Sequence, residues 1–113
     1  MEKINLSVEI PTIEKIRKTI DESPQKIQEE IERSGNRWLA CIITRASITG
    51  SYLNVGRRTG EISPENYQES KNKLNALIKK IYDLQKQYNI KRDISDEIKS
   101  ELIIELTAAV NNL

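Results

Sequence analysis

The chain contains no histidine and no phenylalanine, and it has only one cysteine, one tryptophan, three prolines and four glycines. Without histidine the commonest general base and metal-binding side chain is missing. No glycine-rich loop follows a strand to hold a phosphate, and no serine or cysteine nucleophile has a histidine to activate it. The lone thiol, Cys41, cannot build a disulfide framework and sits in an apolar stretch, where an inert core cysteine is expected. No apolar run approaches the roughly 18 to 20 residues that a membrane-spanning helix needs. Residues 1–6 alternate too much for the apolar segment of a signal peptide. The expectation is a cytoplasmic protein that is not an enzyme and does not contact membranes. No catalytic residue, cofactor or metal ligand is assigned.

What is present reads as helix. With 113 residues, 37% hydrophobic and 31% charged, the chain suits one domain with a modest core. The strongest local signal is Gly60-Glu61-Ile62-Ser63-Pro64. Gly60 fits the left-handed position just past a helix end, Ser63 the N-cap, and Pro64 the first helical position, where a missing N–H costs nothing. Ile62 and Tyr67 occupy the two positions of a hydrophobic staple. Beyond them Tyr67, Ser70, Leu74, Leu77, Ile81, Leu84 and Tyr88 recur every three or four residues, which predicts a helix over 64–89.

Upstream, Ile13, Ile16 and Ile20 predict a short helix over 12–21. Ser23 and Pro24 then read as a fresh cap and first turn. Ile27, Ile31, Gly35, Trp38, Ile42, Ala46, Thr49 and Leu53 keep one face from there on, predicting a long helix over 24–58 that kinks, if anywhere, at Ser34-Gly35-Asn36. Trp38 is its expected core anchor, and Ala46 and Gly50 would let a neighbouring helix approach closely. A last helix over 95–111, capped by Asp93 or Ser95, buries Ile98, Leu102, Leu106, Ala109, Val110 and Leu113. The fold class expected is all-α, an antiparallel bundle of three to four helices. Ile4, Leu6, Val8 and Ile10 alternate with Asn5, Ser7 and Glu9, so residues 1–11 are expected to form an extended, strand-like arm. An unpaired strand must lie on the bundle or meet another chain, which makes these four residues interface candidates. Ile43, Ile48, Val55, Ile78 and Ile104 lie off the main stripes and widen the apolar surface; Ile43, Ile48 and Ile78 join the interface candidates. A homo-oligomer is expected.

A net charge of +1 conceals segregation. Residues 33–92 carry twelve Lys and Arg against four Asp and Glu, while both flanks are acidic. Between Arg33 and Gly60 there are five arginines and no acidic residue, the footprint of a surface that meets phosphates or an acidic partner. Arg33, Arg37, Arg57 and Arg58 are therefore the candidate contacts to DNA or RNA. A plainer account stands beside this one. Arg57 and Arg58 also suit the dipole at a helix C-terminus, and Lys73 and Lys80 could be neutralised by the acidic row Glu97, Glu101 and Glu105.

Two stretches resemble known families. Ile16-Arg17-Lys18-Thr19-Ile20-Asp21, with Ile27, Ile31 and Arg33, is similar to the first helix of the helical chorismate mutases, which clamp their substrate without histidine. Pro24 interrupts the expected helix where that family runs continuously, and the spacing from Asp21 to Arg33 is one residue short. Arg45-Ala46-Ser47-Ile48, Gly56-Arg57-Arg58-Thr59 and Gly60-Glu61-Ile62-Ser63-Pro64-Glu65-Asn66-Tyr67 resemble parts of the small four-helix-bundle family. That family includes proteins of 23S rRNA intervening sequences and accessory variability proteins of retroelements. The resemblance implies a ring-like homo-oligomer with basic surface that associates with nucleic acid and has no catalytic residues. It covers under half the chain. The usual Asn-Ile-Ala-Glu-Gly segment is replaced here by Thr49-Gly50-Ser51-Tyr52-Leu53-Asn54-Val55. The leading expectation is thus a non-enzymatic, homo-oligomeric helical interaction protein with an Arg-rich face for nucleic acid. The alternative is a docking module for a larger protein, of phage, viral or plasmid type, that does not touch nucleic acid.

Overall fold

A computed structural model of the chain describes residues 10–30, 35–88 and 94–113, and it does not describe the side chains of 23–30 and 35. Among the described residues, four helices make an all-α bundle: α1 (Thr12–Glu30), α2 (Gly35–Thr59), α3 (Pro64–Gln87) and α4 (Asp96–Ala109). Each lies antiparallel to the one before. Thr12 at the start of α1 lies against Gly56 near the end of α2. The Asn36 amide near the start of α2 donates to the Tyr88 carbonyl beyond α3 at 3.2 Å. Ser70 in the second turn of α3 donates to Asn112 Oδ1, just past α4, at 2.8 Å.

The expected boundaries at 21 and 24 are corrected. Instead of a short helix over 12–21 and a long one over 24–58, α1 runs through Ser23-Pro24 to Glu30 and α2 begins at Gly35. Pro24 has no N–H for the Ile20 carbonyl, a loss of roughly 3 kcal/mol in a helix interior. The packing of Thr12, Ile16, Thr19 and Ile20, all buried, holds α1 helical regardless. The serine and proline that would start a helix sit inside one. The second helix begins instead at Gly35, within the segment that the even apolar spacing disguised as a kink. Residues 31–34 themselves lie outside the described residues.

The α2–α3 corner follows the expected chemistry. Gly60 has φ +84°, its N–H returns to the Arg57 carbonyl, and the Ile62 N–H reaches the Gly56 carbonyl at 3.0 Å. Ser63 accepts from the Asn66 N–H at 3.2 Å, with Pro64 following. Ser95 caps α4 in the same way through Ile98; Asp93 lies outside the described residues. α4 is shorter at both ends than 95–111, because Val110, Asn111 and Leu113 turn tightly onto carbonyls three residues back.

The core draws on every helix. Ile16 and Ile20, then Trp38, Leu39, Ile42, Ala46 and Leu53, then Leu74, Leu77 and Ile81, and finally Leu102, Leu106 and Ala109 are buried together, closed by Ile62 and Ile94 from the loops. Trp38 is the expected anchor, 1% exposed, with the Lys99 ammonium 6.0 Å from its ring centre. Cys41 is half-buried against the cluster. Among the described residues, no helix is long and apolar enough to cross a membrane. Of the arm, residues 1–9 lie outside the described residues; Ile10 and Pro11 are non-helical and exposed.

Candidate nucleic-acid interface

α2 contains no acidic residue along its 25 positions. Its outer face, Arg37, Ala40, Thr44, Ser47, Ser51, Asn54 and Arg58, is exposed throughout. Arg57 and Arg58 stand exposed in the last turn, where the helix dipole favours cations. Among the described residues neither side chain has an ion-pair partner. Arg37 is exposed at the other end of the helix, 20 residues away, which is about 30 Å at 1.5 Å per residue. The arginines are therefore one pair and one distant partner along a rod, not a cluster. Arg33 lies outside the described residues.

Arg45 is half-buried, and its Nε is buried without a hydrogen-bond partner among the described residues. It does not belong to the exposed row.

The lysines behave differently. Lys80 bridges Glu105 and Glu101 of α4, the latter at 3.6 Å, so this part of the neutralised reading holds. The Glu105 hydrogen bond, opposed by partial desolvation, raises the Lys80 pKa, and the charges of Glu105 and Glu101 add to the shift. Lys73 pairs with Glu69 of its own helix at 3.2 Å rather than with α4. Lys86 lies 3.8 Å from Asp83, and Lys99 lies 3.9 Å from Asp96.

Glu61 is the functional-looking residue that sequence reasoning missed. Its carboxylate accepts from the Thr12 N–H at 2.9 Å and the Ile13 N–H at 3.0 Å, capping α1 from 49 residues away. Pro11, whose carbonyl accepts the first helical bond from Lys15, has no side chain able to cap, so the corner after α2 supplies the acceptor. The Ile13 N–H does most to hold the Glu61 carboxyl below its usual range. Desolvation opposes it, while Thr12 and the Lys15 charge reinforce it. The acid nearest Arg57 and Arg58 in sequence is thus committed to α1. No local signal could have shown this, because the partners meet only in the fold.

Four of the seven interface candidates fall among the described residues. Ile4, Leu6 and Val8 lie outside the described residues, and Ile10 is 43% exposed beside the start of α1. Ile43 and Ile78 are half-buried at the same level where α2 meets α3. Ile48, also half-buried, lies one helical turn before Tyr52, whose ring centre is 5.8 Å from the Lys15 ammonium of α1.

α1 is continuous through Pro24 as far as Glu30. Arg17 donates to the Leu113 carbonyl at 3.0 Å, and with Asp21, Thr107 and Asn111 it lines an open groove of about 230 Å³ between α1 and α4. Among the described residues, no three Cys, Asp or Glu side chains are grouped to hold a metal ion. No family model, curated protein or solved structure matches the chain.

Proposed function

We propose that this chain is a non-enzymatic helical interaction protein that binds the phosphate backbone of nucleic acid through the C-terminal end of α2. One observation carries the reading. Four of the lysines on α3 and α4 sit within 4 Å of carboxylates, whereas acid-free α2 ends in two exposed arginines that have no ion-pair partner among the described residues. Guanidinium groups match phosphate oxygens in a planar, two-pronged geometry. The tight corner at Gly60 fixes the helix end that carries them, and Glu61, which would otherwise offset their charge, is turned toward α1. The resemblance of residues 45–88 to the intervening-sequence family implies the same partner class.

The reading is tested by titrating labelled double-stranded DNA and RNA at low salt with the native chain and with the Arg57→Ala, Arg58→Ala double variant. Binding by the native chain and a loss of about tenfold or more in the variant are expected. Undetectable binding at about 50 mM salt, or equal binding by both proteins, would remove the nucleic-acid reading.

A further inference from the structure

Arg57 and Arg58 stand at one end of a longer track over α2 and α3. Of the α3 lysines, Lys73, Lys80 and Lys86 each lie beside a carboxylate, whereas Lys71 and Lys79 have no ion-pair partner among the described residues. Lys71, Ile78 and Tyr82 share one stripe, because their spacings are close to whole helical turns. That stripe lies toward α2. The Lys71 ammonium is 3.7 Å from the point where a β-carbon on Gly50 would sit, and Tyr67, one turn earlier, donates to Asn54 Oδ1 at 2.8 Å. Lys80, about 200° around the helix from Tyr82, reaches α4 instead.

No carboxylate interrupts the track. α2 has none, and Glu65, Glu69 and Asp83 lie about 100° or more around α3 from Lys71, Ile78 and Tyr82. At its far end stands a ring open to solvent. Among the described aromatic residues Trp38 is buried and Tyr52, Tyr67 and Tyr88 are half-buried, while Tyr82 is 52% exposed, with exposed Lys79 one turn before it.

We infer that the nucleic acid bound is single-stranded, its backbone running from Arg58 past Lys71 to Lys79 and one of its bases stacking on Tyr82. The inference rests on the phosphate-binding reading of Arg57 and Arg58 and adds the class of strand. An aromatic ring can stack only on a base whose face is free, which a duplex does not offer, and such stacking is sequence-tolerant. The outer face of α2 between its arginines presents Ala40, Thr44, Ser47 and Ser51, too short to reach base edges in a duplex groove. From Arg58 to the level of Gly50, and from Lys71 on to Tyr82, the track measures about 28 Å at 1.5 Å per residue, the scale of a short oligonucleotide.

Anisotropy titrations of the full chain test this, with a labelled oligothymidine of about 12 nucleotides, an abasic strand of the same length and a duplex of the same length. The native chain should bind oligothymidine about tenfold more tightly than the other two. Tyr82→Ala should weaken oligothymidine binding about tenfold and Tyr82→Phe by no more than about twofold, with circular dichroism native in both and with abasic and duplex binding unchanged. Lys71→Ala with Lys79→Ala should weaken both single strands. Oligothymidine binding that is indifferent to Tyr82→Ala, equal losses on the thymidine and abasic strands, or tighter binding of the duplex would each overturn the inference. If Arg57→Ala with Arg58→Ala still abolished binding in that event, the phosphate-binding reading would stand without it. A native chain that bound none of the three would remove both.

Discussion

The side chain of Ile62 fills the space beside Gly56 that a β-carbon there would need: Ile62 Cγ1 lies 2.7 Å from that position, and Cδ1 is closer still. Two residues past the left-handed Gly60, Ile62 folds back under α2 and is 2% exposed. The corner that orients Arg57 and Arg58 is therefore held by a close approach permitted only by glycine.

Gly56→Ala should destabilise the fold by about 1 to 3 kcal/mol, because Ile62 must shift out of the core. At Gly50 an added β-carbon would meet Leu74 Cδ2 at 3.4 Å, an ordinary contact. Gly50→Ala should be neutral or stabilising by up to about 1 kcal/mol, from helix propensity alone. Urea unfolding of the two variants side by side checks the contrast.

Pro24→Ala should stabilise the chain by up to about 3 kcal/mol, because it restores an interior helical hydrogen bond to the Ile20 carbonyl. If Pro24 began a helix instead, the substitution would be close to neutral. Thermal unfolding distinguishes the two.

The same residues show how far the sequence could be read. Spacing disclosed the helical class, the α3 stripe and its Ser63-Pro64 start, the burial of Trp38 and the C-terminal stop at Gly60, because each depends on neighbours within one or two turns. The α1–α2 boundary was misplaced because Ser23-Pro24 carries the local chemistry of a helix start while tertiary packing decides the outcome. The Glu61 cap on α1 and the Asn112 bridge, which accepts from Ser70 and donates to the Asn66 carbonyl, join segments more than 40 residues apart. No periodicity encodes such pairs.

Glu61→Gln should cost about 0.5 to 2 kcal/mol, since the amide keeps one acceptor and loses the charge that meets the α1 N-terminus. The folded-state pKa of Glu61 lies below its unfolded value. Its contribution is therefore full above the unfolded value of about 4.3 and fades as pH falls through the folded value. The native chain should lose stability on acidification below about pH 5 more steeply than Glu61→Gln, as denaturant midpoints across pH would record.

For Lys80 the sign is opposite. Its pKa is raised by Glu105 and Glu101, so its contribution is present at neutral pH and is lost only as alkaline pH rises through the folded value. A double-mutant cycle over Lys80→Ala and Glu105→Ala should return a coupling of about 0 to 1 kcal/mol, as expected for a partly exposed bridge. Neither substitution should alter nucleic-acid affinity by as much as Arg57→Ala with Arg58→Ala.

The most direct measurement is the salt dependence of duplex binding, taken as the slope of log affinity against log salt concentration. For the native chain the slope should be steep, and removing Arg57 and Arg58 together should make it shallower by about 2, one released counterion for each lost phosphate contact. An identical slope in the double variant would contradict the assignment of the α2 end as the phosphate-binding surface.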